Sequence, residues 1–348
     1  MRRVFITLHL KNILLLIIAF ITFIVITSVL IVGIGHNNSL NKSKNPVVKS
    51  EENKNIIKYD ELPKVSKVKV FISKENTIKE LDLEVYVAGV VAAEMPAGFE
   101  MEALKAQAVA SRTYALAHVT KLGGAACKNG KGADLCDTVH CQVYMTKEER
   151  IKLWAKSSAQ ENWNKIETAV KATAGQVLTY NNTLVMEPYY FATSSGKTEN
   201  SEEVFSSSIP YLKSVESPGE ERAKYFKSSK TFKYTELSQI INNNYNNANV
   251  TSANVKKQIT VIDRTEAGSV KNIKVGSITM TGSKFRTMLG LKSSNFEIKF
   301  NSNDIEIDCS GYGHGVGMSQ WGADAMAKDG KNYIQILTHY YQGTDISK

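Results

Sequence analysis

The stretch Leu83-Glu-Val-Tyr-Val-Ala-Gly-Val-Val-Ala-Ala-Glu-Met-Pro96 decides how this chain is read. From Leu83 to Ala93 it is apolar nearly throughout, as a buried helix or turn is, and Pro96 ends the regular element. Glu94 closes it, with Val90, Val91, Ala92 and Ala93 before it and Met95 and Pro96 after; no further carboxylate follows until Glu100. An apolar setting raises a carboxyl pKa. Glu100 to Leu122 then reads as a helix, being rich in Ala, Leu, Met, Gln, Lys and Glu with acids in its first turn. Upstream, residues 66–72 and 77–82 read as strands.

Further out, Glu161 to Thr173 is helical in pattern, and Gly175 stops it. Short strands are expected around 176–180, 183–186 and 188–193, with Asn181-Asn182 as a turn. Residues 236–256 start as a helix. Residues 258–264, 270–280 and 296–300 are strand-like, and helices are expected near 318–328 and 332–341. No repeat of solenoid period is present. The expected fold class is α+β: a mixed sheet core with a helical lobe carrying Glu94.

Ahead of this domain, Ile13 to Ile34 contains no charge. At about 1.5 Å rise per residue it spans a hydrocarbon core of about 30 Å. Arg2, Arg3 and Lys11 precede it, which puts the N-terminus in the cytoplasm. Residues 1–12 are therefore expected to be cytoplasmic, 13–35 a transmembrane anchor, 36–64 a flexible linker and 65–348 an extracytoplasmic domain. The alternative, a cleaved signal peptide, has a shorter apolar core, and Gly33-Ile34-Gly35-His36 is a poor cleavage site.

The 348 residues are 43% hydrophobic and 22% charged, which excludes disordered, collagen-like and coiled-coil classes. Net charge is +9. The N-terminus supplies +3 of this and the linker +2, leaving +4 on the domain. Without a Lys/Arg cluster or a helix-turn-helix pattern, no nucleic-acid partner is expected. A mild positive surplus suits an anionic wall or lipid surface, or serves solubility alone.

Four segments stand out together: Val90-Val-Ala-Ala-Glu-Met-Pro96, Ala106-Gln-Ala-Val-Ala-Ser-Arg-Thr-Tyr114, Ser194-Ser-Gly-Lys-Thr-Glu199 and Tyr312-Gly-His-Gly-Val-Gly-Met-Ser-Gln-Trp-Gly322. In this order they resemble the stage II sporulation protein D (SpoIID) family, whose domain is shared with LytB-type amidase enhancers. The resemblance covers roughly 65–345. It implies a membrane-anchored lytic transglycosylase that cuts peptidoglycan glycan strands during forespore engulfment. The domain would sit on the mother-cell membrane, facing the septum. Strands stripped of stem peptides would be its substrate, and a wall amidase or endopeptidase its partner. Glu94 would be general acid and base, with Arg112 lining the cleft beside it.

A lytic transglycosylase can work with one carboxyl, because the muramic C6 hydroxyl closes onto C1 to give a 1,6-anhydro product; hydrolysis normally adds a second carboxylate. Glu94 pairing with Arg112, or capping the next helix, is the bland alternative. Gln107, on the face of the Arg112 helix, is expected to bind substrate. Ser195 and Lys197 follow a strand in a Ser-Gly turn; Lys197 is a candidate for the muramic lactyl carboxylate. In the glycine-rich Gly311–Gly317 loop and just beyond it, His314 and Gln320 are the polar groups expected to face substrate, with His314 a second candidate base. The loop lacks the Lys-Ser/Thr of a P-loop and sits in no dinucleotide unit, so no nucleotide or other organic cofactor is expected.

Cys127, Cys136, His140 and Cys141 fall within 15 residues. Three thiolates and an imidazole suit tetrahedral zinc in a closed, structural site. A disulfide, Cys127–Cys136 or Cys136–Cys141, is the alternative outside the cytoplasm. The stretch His140-Cys-Gln-Val-Tyr144 resembles a zinc-binding loop of some clostridial SpoIID proteins. Cys309 reads as a buried small hydrophobe. Rival functions are a non-enzymatic amidase activator, a zinc-dependent wall hydrolase and a sugar-binding module.

Overall fold

A computed structural model describes residues 57–61 and 65–348. The expected anchor and most of the expected linker lie outside the described residues. Among the described residues, no helix is long and apolar enough to cross a membrane. The linker expectation fails at its end. Ile57 is buried, its carbonyl accepts from Leu184 N–H at 2.8 Å, and Lys58 bridges to Thr183. One apolar side chain in a polar stretch is enough to dock it.

Strands β1 (Lys67–Ile72) and β2 (Thr77–Asp82) form an antiparallel hairpin. Asp82 then caps α1 (Leu83–Glu94), its carboxylate accepting from the Glu84 and Val85 N–H groups. Helix α1 is buried on most of its surface, which is why its sequence is apolar all round rather than amphipathic. Gly89 is required there: a Cβ would lie 2.4 Å from the Tyr144 ring and 2.5 Å from the Met145 carbonyl. Helix α2 (Met101–His118) packs beside it and is buried from Ala106 to Ala117, polar Gln107, Ser111 and Arg112 included. The cysteine loop follows, with β3 (Leu135–Cys136) joining β1 in parallel.

Helices α3 (Lys147–Leu153) and α4 (Ala159–Ala172) lead to β4 (Val177–Tyr180) and β5 (Thr183–Leu184). Asn181 and Asn182 turn this hairpin with φ of 48° and 59°, the left-handed region that Asn tolerates best after glycine. Strand β6 (Tyr190–Phe191) and the short α5 (Ser201–Val204) complete the first pass through this core.

The chain then leaves to build a second lobe. It comprises β7 (Lys227–Lys233), α6 (Tyr234–Asn244), α7 (Val255–Gln258), β8 (Ile259–Arg264), β9 (Val270–Val275), β10 (Ile278–Thr281), α8 (Gly282–Leu289), β11 (Phe296–Phe300) and β12 (Asp304–Ser310). Two three-stranded sheets, β10-β9-β8 and β11-β12-β7, enclose a separate core around Leu237, Ile241, Ile273, Phe285, Phe296 and Ile307. The stretch 270–280 is a hairpin rather than one strand. It turns at Gly276, where φ is +61° and a Cβ would meet the Ala248 carbonyl at 1.9 Å. Cys309 is buried in β12, as expected.

The chain returns through the glycine-rich loop to β13 (Met318–Ser319), which pairs in parallel with β6. Helices α9 (Gln320–Lys328) and α10 (Tyr333–Tyr340) follow, and β14 (Asp345–Ser347) pairs with β4. The α+β class is as expected. The helical part and an inserted α+β lobe have separate cores, and the insertion was not foreseen.

Candidate active site

A cleft of about 670 Å³ opens where these returns meet. Glu94 from the end of α1, Tyr114 from α2, residues 139–143 of the cysteine loop, residues 188–192 around β6, Tyr312–His314 and Gln320 line it, with Arg286 from α8 of the inserted lobe. Glu94 is the one carboxylate among these lining residues.

Glu94 is half-buried. Its Oε1 accepts from Val143 N–H at 2.8 Å, and Gln320 hydrogen-bonds the same carboxyl. Burial holds its pKa above the ordinary carboxylate value, while Val143 and Gln320 work in the other direction. Its place at the C-terminal, negative end of α1 also disfavours the charged form. The side chain therefore keeps its proton to higher pH than a surface glutamate.

Behind it runs a buried polar chain. Gln320 Nε2 donates to Gln107 Oε1 at 3.3 Å, Gln107 Nε2 donates to Ser111 Oγ at 2.9 Å, and Ser111 meets the Tyr190 hydroxyl. Gln142 Nε2 donates to that hydroxyl at 3.0 Å and its Oε1 accepts from Tyr86 at 3.2 Å. Gln107 thus orients Gln320 from behind the cleft. Each member of such a network fixes the next, so Glu94 sits on a rigid support.

His314 lines the cleft between the rings of Tyr189, Phe191 and Phe205. Its Nδ1 accepts from Val316 N–H at 3.1 Å, and the ring also bonds the Tyr190 backbone. Burial, and then the positive charge of Arg286, push its pKa down to about 4. These backbone contacts seat the ring in the wall of the cleft.

Besides Gln107, which stands behind the cleft, three more residues expected to bind substrate lie elsewhere. Arg112 is fully buried and turned away: its Nη2 and Nε meet both Glu84 oxygens at 2.6 and 2.8 Å, and its Nη1 donates to the Gln176 carbonyl at 3.1 Å. It ties α2 to the start of α1 and the α4–β4 turn. The family resemblance implied a place in the cleft, but a long side chain reaches either way from one Cα. Lys197 pairs with Glu266 at the surface. Ser195 accepts from Asn295 Nδ2 at 2.9 Å. Both border a side recess of only about 10 Å³, room for a single water and no sugar.

Tyr114, Gln142, Val143, Tyr190 and Arg286 were missed. Gln142 and Val143 directly follow the cysteine loop, which was the available signal. Arg286 carries none, since only the packing of the second lobe brings it here.

Cys127, Cys136, His140 and Cys141 place their ligand atoms within 4.8 Å of one another. The His140 Nδ1 lies 3.3, 3.9 and 3.7 Å from the three sulfurs. Tetrahedral zinc with bonds of about 2.0–2.3 Å needs ligand separations of about 3.5–3.8 Å, so the donor set fits. All the described cysteines are free thiols. Burial pushes the Cys127 and Cys141 thiols up, so a cation is needed to hold them as thiolates. The loop is fastened independently: Asp134 accepts from Lys69 and Thr120 N–H, and Asp137 from Ser73. When bound, zinc would supply rigidity to the segment whose Val143 N–H holds Glu94.

Fold and cleft together define an α+β protein with one half-buried carboxyl in its cleft and a Cys3His cluster in the adjoining loop. The chain belongs to the SpoIID family. Residues 72–180 match the family model described as stage II sporulation protein. Stage II sporulation protein D of Bacillus subtilis (strain 168) is 37% identical over 327 residues, covering 93% of this chain and 92% of its relative. That of Bacillus amyloliquefaciens is 40% identical over 281 residues, covering 81% and 78%. The amidase enhancer of Bacillus subtilis (strain 168) is 31% identical over 306 residues, covering 74% of this chain and 40% of the enhancer.

Proposed function

We propose that this protein is a peptidoglycan lytic transglycosylase of the sporulation wall. In this reading it is anchored by residues 13–35, with its catalytic domain outside the cytoplasm. The observation that carries the reading is Glu94: a lone, proton-retaining carboxyl at a cleft large enough for sugar rings. Two-carboxylate hydrolysis has no second acid among the described lining residues.

Protonated Glu94 donates to the glycosidic oxygen as its bond to C1 breaks. The resulting carboxylate takes the proton of the muramic C6 hydroxyl as that oxygen bonds to C1. The proton count closes on Glu94, and the product carries a 1,6-anhydro ring. Tyr189, Tyr190 and Phe205 offer faces for sugar rings. Zinc held by Cys127, Cys136, His140 and Cys141 would have four protein ligands and would serve structurally.

Mass spectrometry of products from peptide-free glycan strands tests this. Anhydro-muramyl ends, absent with Glu94→Gln, are expected; hydrolysed ends or full release by that variant would overturn it. The likeness to the amidase enhancer favours a second reading, activation of a wall amidase. It predicts no release by the purified protein and amidase stimulation that survives Glu94→Gln.

A further inference from the structure

Arg286 has no role in the chemistry above, yet it is the one Lys or Arg side chain among the described residues lining the cleft. It sits in the last turn of α8, an amphipathic helix seated by Phe285 and Leu289 in the second core. Phe285 stacks on Phe296 at 5.4 Å. Gly282, whose Cβ would meet the Val270 carbonyl at 1.9 Å, lets the helix pack close to β9. The position is therefore rigid. Among the described residues no ion pair involves Arg286, and its Nε is buried with no hydrogen-bond partner. The neighbouring charge is also positive: Lys292 covers the Tyr312 ring at 4.5 Å. A half-buried guanidinium with one buried, unpartnered N–H at a cleft is costly unless an acceptor completes it.

We infer that Arg286 is the substrate-carboxylate receptor of this cleft, delivered by the inserted lobe to the same cleft that Glu94 lines. The inference rests on the glycan reading. In a glycan strand of N-acetylglucosamine and N-acetylmuramic acid, the lactyl carboxylate is the anionic group; when a stem peptide is attached, that carboxylate is an amide. A guanidinium binds a carboxylate through paired N–H donors and gains little from an amide. Arg286 therefore selects muramyl residues with a free lactyl group. Lys197 does not compete for the role, since Glu266 already occupies it.

The test uses full-length Glu94→Gln protein, so that turnover is not involved. Its binding is compared on peptide-free strands and on the same strands with lactyl carboxylates converted to methylamides. Free-carboxylate strands should bind on the order of tenfold or more tightly, the preference weakening with salt. Adding Arg286→Gln should erase the preference and leave methylamide binding unchanged, while Arg286→Lys keeps part of it. Equal binding of the two strands by the Glu94→Gln protein overturns the inference, whether or not the Arg286 variants fold. So does a preference that survives Arg286→Gln. Binding to neither strand would sink the glycan reading itself and this inference with it.

Discussion

Two carboxylates in the first core differ in what surrounds them. Glu220 is 1% exposed, and burial raises its pKa as it does for Glu94. Around Glu220, donors close every side: Ser194 N–H and Oγ at 2.8 Å, Ser217 Oγ at 2.6 Å and Ser319 Oγ at 2.7 Å. Gly322 abuts it, a Cβ there lying 2.8 Å from Glu220 Oε1 and 2.1 Å from the Tyr340 hydroxyl. Glu94 has one backbone donor and one glutamine, and its remaining lone pairs face the cleft. Neighbouring residues serve the two groups, Ser319 bonding Glu220 and Gln320 bonding Glu94. Burial alone therefore does not separate the two groups; unfilled acceptor capacity beside open space does, and it is what the proposed acid has. The Ser194 and Gly322 motifs, which look like recognition elements in the sequence, belong in part to the structural knot.

The sharpest way to break this contrast is a matched pair of substitutions. Glu94→Gln should lower glycan cleavage by about 10²–10⁴-fold with little change in the urea midpoint, because it removes the transferable proton and keeps the shape. Glu220→Ala should instead cost about 3 kcal/mol of stability, since Ser194 N–H and three hydroxyls lose their acceptor in the interior. A Glu220→Ala protein as stable as wild type would dissolve the distinction.

Removing metal probes the brace on the Glu94 side. Chelation, or Cys136→Ser, should lower the melting temperature by about 5–10 °C and activity by about tenfold, with recovery on adding zinc to the chelated protein. Purified protein holding four reactive thiols and no metal would defeat the zinc assignment.

A smaller effect should show in the pH profile. Glu94 is active as an acid when protonated, so kcat should fall as pH rises through its raised pKa. Gln320 favours the ionised form. Gln320→Leu should therefore push the pKa further up and move the alkaline limb to higher pH; a limb moving to lower pH contradicts the assigned hydrogen bond. Smallest of all, Lys197→Ala should change cleavage by less than about twofold, because an exposed ion pair with Glu266 contributes little. A large loss in KM would return Lys197 to the substrate path.

Much of the first core was legible before any coordinates. The apolar run 83–93, the Ala-rich helix after it and the Asn181-Asn182 turn each carry a local signal, and each forms as expected. Gln107, His314 and Gln320 were found through their motifs, although only Gln320 and His314 reach the cleft. The cleft place that the resemblance implied for Arg112 is not where its guanidinium lies, because a motif fixes a Cβ, not the end of a six-bond side chain. The inserted lobe reads in the sequence only as scattered strands and one helix start, since its core is assembled from distant segments.

By itself the sequence determined the chemistry on offer: a carboxyl in apolar company, four metal-type ligands within one loop, and glycines where the backbone must turn. Tertiary structure decided which of these meet. It set Val143 and Gln320 against Glu94, turned Arg112 toward Glu84, seated His314 in the cleft wall and carried Arg286 in from another core. Contacts between residues as far apart as Glu94 and Gln320 depend on how helices and loops pack in three dimensions, and no local pattern encodes that.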